Sequence, residues 1–150
     1  MKPSEKLRHD HEVLREKLAL LEQYLPSFQT APLTIVRMAD SLAHCLQLHN
    51  DLEERLLSHL ASARENVPVD VIEHLHCDHQ GQQLQLAMLY ELLSQDEPMA
   101  FEEQVMAQAS YFLDDLREHM TLEEVQLFPV LDRRNAFADI PADDEPENGA

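Results

Sequence analysis

Six residues in this sequence combine donor chemistry with helical spacing: His11, His49 with Glu53, His79, and His119 with Glu123. Residues four apart lie on one helical face, so each His-x3-Glu pair can reach a single centre. Each of the six also falls where an apolar residue is due. Leu7, Leu14, Leu18, Leu21 and Leu25 make a seam with one step missing, and His11 fills it. Ile35, Ala39, Leu42, Leu46, Leu56 and Leu60 bracket His49 and Glu53, and Ile72, Leu75, Leu86, Leu89 and Leu93 bracket His79. Val105, Ala109, Phe112, Leu116, Leu127 and Val130 bracket His119 and Glu123. Four imidazoles and two carboxylates are thus directed into a core. An unpaired buried charge costs several kcal/mol, and no Lys or Arg occupies these seams, so a cation is the economical compensator. Mixed imidazole and carboxylate ligation suits iron, manganese or zinc better than calcium or magnesium. A bundle held together without metal is the competing reading.

Positioning such groups requires long helices. The sequence has 150 residues, two glycines and no tryptophan, and its abundance of Leu, Glu, Gln and Ala favours helix over strand. Pro26, Pro32, Pro68 and Pro98 fall at expected helix boundaries. The pattern predicts helices over Ser4–Leu25, Leu33–Arg64, Val69–Ser94 and Met99–Leu131. Short joints between them give an all-α, up-down-up-down antiparallel four-helix bundle over residues 1–134. Residues 135–150 turn acidic and Pro-containing and are expected to form a disordered tail. An internal register strengthens the reading. Asp10-His11 is echoed by Asp78-His79, and His49-Asn50-Asp51-Leu52-Glu53-Glu54 by His119-Met120-Thr121-Leu122-Glu123-Glu124, at offsets of 68 and 70 residues.

The ligand pattern, and the stretch His119 to Leu131 reading HMTLEEVQLFPVL, resemble the hemerythrin family in its HHE cation-binding branch. The resemblance implies two iron ions with an oxo or hydroxo bridge, Glu53 and Glu123 as bridging carboxylates, and the four histidines as terminal ligands. About twelve positions on two six-coordinate ions, less those taken by protein and bridge, leave about two open. A small diatomic or peroxide ligand is the implied partner: dioxygen, nitric oxide or hydrogen peroxide. The sequence departs from the oxygen carriers in two places. Leu75 and Gln83 flank His79 where a fifth histidine would stand, and seam position favours Glu123 over Glu124 as ligand. The implied function is a sensing or binding module. The alternative is a di-iron enzyme or iron-handling protein in oxidative or nitrosative stress response.

The remaining groups are expected to be peripheral. Glu54 and Glu124 lie one step round the helix, facing solvent or orienting the ligands. His9, His44, His59 and His74 fall off the seams, while a slightly rotated seam would bring His76 inward. Gly81 sits mid-helix, where it could permit close packing or access near His79. Cys45 and Cys77 are expected as buried free thiols. A formal net charge of -18 without a basic stripe argues against nucleic acid. The absence of an apolar signal core or spanning run argues against a membrane and for the cytoplasm, with any protein partner unspecified.

Overall fold

The computed structural model describes residues 2–62, 68–94 and 102–133. Helix α1 spans Pro3–Tyr24 and passes into a 3-10 turn at Leu25–Ser27; α2 spans Pro32–Ser62, α3 Val69–Leu93, α4 Glu102–Gln126 and α5 Phe128–Asp132. Proline marks these ends because it lacks an N–H yet suits the first helical turn. Pro3 and Pro32 open α1 and α2, Pro68 precedes α3, and Pro26 lies in the turn closing α1. The Glu5 carboxylate accepts from the Lys2 backbone N–H at 3.2 Å, satisfying a donor that the first turn leaves free. The anticipated Pro98 boundary, the anticipated ends at Arg64 and Met99, and the tail over 135–150 lie outside the described residues.

Side-chain bonds fix the topology. Numbers ascend on one helix as they descend on its neighbour: Asp10 with His49 and Lys17 with Ser41 across α1/α2; Glu53 with His79 and Asn50 with Gln82 across α2/α3. Asp78 pairs with His119 and Gln85 with Asp115 across α3/α4, and Arg15 with Glu124 and Glu22 with Arg117 across α1/α4. All four interfaces are antiparallel, closing the ring of an up-down-up-down bundle.

Two apolar clusters fill the interior. The larger joins Leu14, Leu18, Leu21, Leu42, Leu46, Leu86, Leu89, Phe112, Leu116 and Met120 with their neighbours. The smaller joins Leu7, Leu52, Leu56, Leu57, Leu60, Leu75, Leu127, Phe128 and Leu131. On every long helix the candidate ligands fall where these two sets meet, so the bundle has a polar layer with an apolar block on each side. The expected seams are buried nearly throughout, with Ile72 and Val130 half-buried.

Two expectations are corrected. The fourth helix does not run unbroken to Leu131, because Pro129 has no N–H to give to the ladder and suits the first turn of a new helix. The chain breaks at Leu127 and restarts as α5, whose Phe128 turns inward. Neither cysteine is buried: Cys45 is half-buried and Cys77 exposed, and both thiols are free. A Cβ on Gly81 would meet nothing within 4 Å, so no close approach of another element requires that glycine.

The larger cluster should dominate stability. Phe112 is fully buried within it, whereas Tyr111 beside it is 62% exposed. Phe112→Ala is expected to cost about 3–5 kcal/mol and Tyr111→Ala no more than about 0.5 kcal/mol, measured by denaturant unfolding of the metal-free chain.

Candidate metal centre

All six candidate ligands converge. His11, His49, Glu53 and Glu123 form one group, and Glu53, His79, His119 and Glu123 a second, with the donor atoms of each group within 4.8 Å of one another. Every member is buried, from 0% exposure at His11, Glu53 and Glu123 to 5% at His79. The two groups share both glutamates, and each glutamate divides its oxygens between them. Glu53 Oε2 lies 2.6 Å from His49 Nε2, while its Oε1 lies 2.9 Å from His79 Nε2. Glu123 Oε1 lies 3.1 Å from His11 Nε2 and 3.8 Å from His49 Nε2, and its Oε2 lies 3.3 Å from His119 Nε2 and 3.9 Å from His79 Nε2.

A second ring of carboxylates orients the imidazoles. Each histidine turns Nε2 inward and donates its outer Nδ1–H to an acid on a neighbouring helix. His11 donates to Glu124 at 2.8 Å, His49 to Asp10 at 3.1 Å, His79 to Glu54 at 2.8 Å and His119 to Asp78 at 2.9 Å. Such a bond fixes the tautomer, leaves the Nε2 lone pair facing the centre, and raises its basicity. Glu54 and Glu124 therefore orient the candidate ligands His79 and His11. Asp10 and Asp78 do the same for His49 and His119, a role missed in the sequence although both stand inside the echoed dipeptides Asp10-His11 and Asp78-His79. His76 does not enter the core; it is exposed and donates from Nδ1 to Glu54 at 2.9 Å. Gln83, on the rotated seam, is exposed as well. Opposite, Arg15 grips Glu124 through two bonds of 2.7 and 2.9 Å. Phe128 covers the His11 ring at a centroid distance of 4.9 Å. Arg8 lies over Phe128 at 5.3 Å and holds Asp132 of α5 through both guanidinium nitrogens.

The electrostatics divide the histidines into two pairs. Burial pushes His11 down to about 4, reinforced by the neighbouring His49, and burial lowers His119 as well. At His49 burial acts in the same sense, but the close charge of Glu53 and the bond to Asp10 outweigh it and raise the imidazole to about 9. His79 rises likewise, because its bond to Glu53 outweighs burial. Glu53, though desolvated, is held far below the usual carboxylate range by His49 and His79. Without metal, then, the charge of Glu53 favours the protonated forms of His49 and His79.

That arrangement still leaves donors unspent. His49 Nε2, His119 Nε2, Glu53 Oε2 and Glu123 Oε2 are buried with no hydrogen-bond partner; His49 Nε2 and Glu53 Oε2 stand 2.6 Å apart without hydrogen-bond geometry. A buried unpaired polar atom costs about 1–3 kcal/mol; His49 Nε2 faces Glu53 Oε2 in one group and His119 Nε2 faces Glu123 Oε2 in the other, where a cation in each group would engage them. The donor set is all nitrogen and oxygen, which fits a first-row transition ion.

Among the described residues no helix is long and apolar enough to cross a membrane. No curated protein matches the chain, and no solved structure does. The family model described as the hemerythrin HHE cation binding domain matches residues 70–145, about half of the chain. The match takes in His79, His119 and Glu123 directly, and the internal register together with the shared groups ties His11, His49 and Glu53 to the same centre. On that match the chain belongs to the hemerythrin HHE cation-binding domain family.

Proposed function

We propose that this chain holds two iron ions, one in each His2Glu2 group, and serves as a binding or sensing module for a small oxidant of the dioxygen, nitric oxide or peroxide class. The observation that carries the reading is the division of each glutamate's two oxygens between the two groups, which is the disposition of a carboxylate spanning two ions. When bound, the iron pair with an oxo or hydroxo bridge supplies reversible redox change and open positions for an exogenous ligand. The protein's own part is to hold that pair. The four Nδ1 anchors fix the imidazole planes, the shared glutamates set the spacing, and the flanking apolar clusters keep bulk water away and strengthen every polar interaction inside. Two free thiols and a helical bundle without a spanning helix among the described residues agree with a cytoplasmic setting.

Anaerobic reconstitution with ferrous iron should load close to two irons per chain, counted by elemental analysis; a single zinc-type site with no second ion would overturn the reading. Glu53→Gln or Glu123→Gln should remove one or both irons and the absorption of the bridged ferric pair. Glu54→Gln and Glu124→Gln, which loosen only the orientation of His79 and His11, should weaken iron binding about 10–100-fold. Equal loss in both sets would mean that the bridging assignment is wrong.

The metal-free chain should show a stability maximum. His49 rises from 6.5 to about 9 on folding, so its contribution is complete below 6.5 and disappears as pH climbs through 9. His11 falls from 6.5 to about 4, so the unfolded chain takes up the extra proton between those values and stability drops as pH is lowered from 6.5 to 4. Glu53, held low, adds to the acid-side loss. Thermal melts in chelator should therefore give the highest Tm near pH 6.5. Iron should raise Tm most on the alkaline side, where His49 and His79 have no proton to surrender; a Tm independent of pH in chelator would contradict this charge assignment.

A further inference from the structure

Two amides are buried on one flank of the centre. Asn50 follows His49 on α2 and is 4% exposed; Gln82 lies one turn beyond His79 on α3 and is 0% exposed. Asn50 Nδ2–H donates to Gln82 Oε1 at 3.0 Å across the α2/α3 interface. That bond uses only part of the pair's capacity, and Asn50 Oδ1 and Gln82 Nε2 remain buried without a partner. One acceptor and one donor thus sit unsatisfied on facing helices, each at a cost that native interiors rarely leave uncompensated.

The internal register shows that the fold does not demand amides here. At offsets of 68 and 70, Gln82 corresponds to Leu14 and Asn50 to Met120, and both of those residues are buried in the larger apolar cluster. The centre therefore has one flank closed by leucine and methionine, at α1/α4, and one lined by amides, at α2/α3. A symmetric pair of ion sites has been given an asymmetric wall. Packing alone gives no reason to replace the apolar pair, since exchanging a hydrogen-bonded pair for apolar groups of similar shape is close to neutral.

We infer that Asn50 and Gln82 form a hydrogen-bonding subsite on the α2/α3 flank for a small hydroxylic molecule, water or hydrogen peroxide. The molecule donates to Asn50 Oδ1 and accepts from Gln82 Nε2, which satisfies both orphaned atoms at once. Water is the resident of that class in a buried polar site, and hydrogen peroxide likewise both donates and accepts. The subsite is a property of the folded chain; its use beside an iron pair rests on the function proposed above.

The test compares the wild-type chain with Asn50→Met/Gln82→Leu, which copies onto this flank the pair already accepted on the other. In crystals of the metal-free wild type, grown without peroxide, an ordered oxygen is expected within hydrogen-bonding distance of Asn50 Oδ1 and Gln82 Nε2, and it should vanish in the double variant. Its absence from the wild type would overturn the inference, and this observation stands even if the variant does not fold. Iron content should be the same in both proteins; failure of the wild type to bind iron would refute the metal centre and leave the subsite standing. With reduced iron-loaded protein, the rate of reaction with hydrogen peroxide should fall about tenfold in the variant, as for the loss of two neutral hydrogen bonds, while nitric oxide, a poor hydrogen-bonding partner, should bind as before. An unchanged peroxide rate beside an ordered oxygen would assign the subsite to water. An equal fall for both ligands would overturn the subsite as the cause.

Discussion

Everything in this bundle follows from placing six ionisable side chains in one dry layer. Water cannot screen them there, since the layer is bounded by apolar clusters on both sides and its members are at most 5% exposed. The charges must be balanced from within. The imidazoles split into two pairs: His49 and His79, drawn toward the protonated form by Glu53 against their desolvation, and His11 and His119, pushed toward the neutral form by burial. The split is not arbitrary. Both protonated rings approach Glu53 closely, at 2.6 and 2.9 Å, whereas His11 and His119 stand at 3.1 and 3.3 Å from Glu123. Protons are nonetheless poor substitutes for metal ions, because a proton serves one lone pair and an ion serves several. The unpaired His119 Nε2 and Glu123 Oε2 are what protonation of His49 and His79 fails to reach.

The outer carboxylates give the layer its rigidity. Each imidazole is caught between an inner partner and an acid on a neighbouring helix, so ring rotation would break a bond on the outside as well as a contact on the inside. The scheme crosses all four interfaces: Asp10 serves α2, Glu54 serves α3, Asp78 serves α4 and Glu124 serves α1. The supports behind these acids differ. Glu124 is held by a guanidinium that stays charged at any relevant pH, and this holds its carboxyl below the usual range. Glu54 is held by the exposed imidazole of His76 and by His79, which together outweigh its desolvation. One half of the centre is clamped by a permanent cation and the other by a surface histidine.

Much of this was legible in the sequence, for a reason that particular residues make plain. A histidine such as His11 sitting in a leucine seam must point where the leucines point, and the 3.6-residue period then places it without reference to any partner. The same logic located His49, Glu53, His79, His119 and Glu123, all of which the fold brings together. It could not locate Asp10, Asp78 or Arg15, because these lie just off the seam, where the period says only that a side chain is near a boundary. Their partners are on other helices, and a periodicity within one helix carries no record of its neighbours. The repeat did carry the signal, since aspartate precedes histidine in both halves. The break at Leu127 was missed because the apolar pattern continues through Phe128 and Leu131 even though the backbone ladder cannot. A place inside a helix does not settle the burial of a thiol: Cys77 falls one step from the exposed His76 and two from the buried Leu75, and only the exact phase of α3 decides between them.

The sharing of glutamates also sets what kind of unit this protein is. The group that contains His11 and His49 from the first hairpin requires Glu123 from the second, and the group that contains His79 and His119 requires Glu53 from the first. Neither hairpin therefore owns a complete set of donors for even one ion, despite carrying its own His-x3-Glu pair. The outer acids interlock in the same way, for Glu54 of the first hairpin steadies His79 of the second, and Glu124 of the second steadies His11 of the first. An isolated hairpin would also expose half of each apolar cluster, since both clusters draw on all four long helices or on the short helix that follows them. Association of the hairpins and completion of the polar layer are thus one event. The internal repeat has been kept where the two hairpins exchange donor groups, and relaxed at Leu14, Met120, Asn50 and Gln82, where the layer meets its walls.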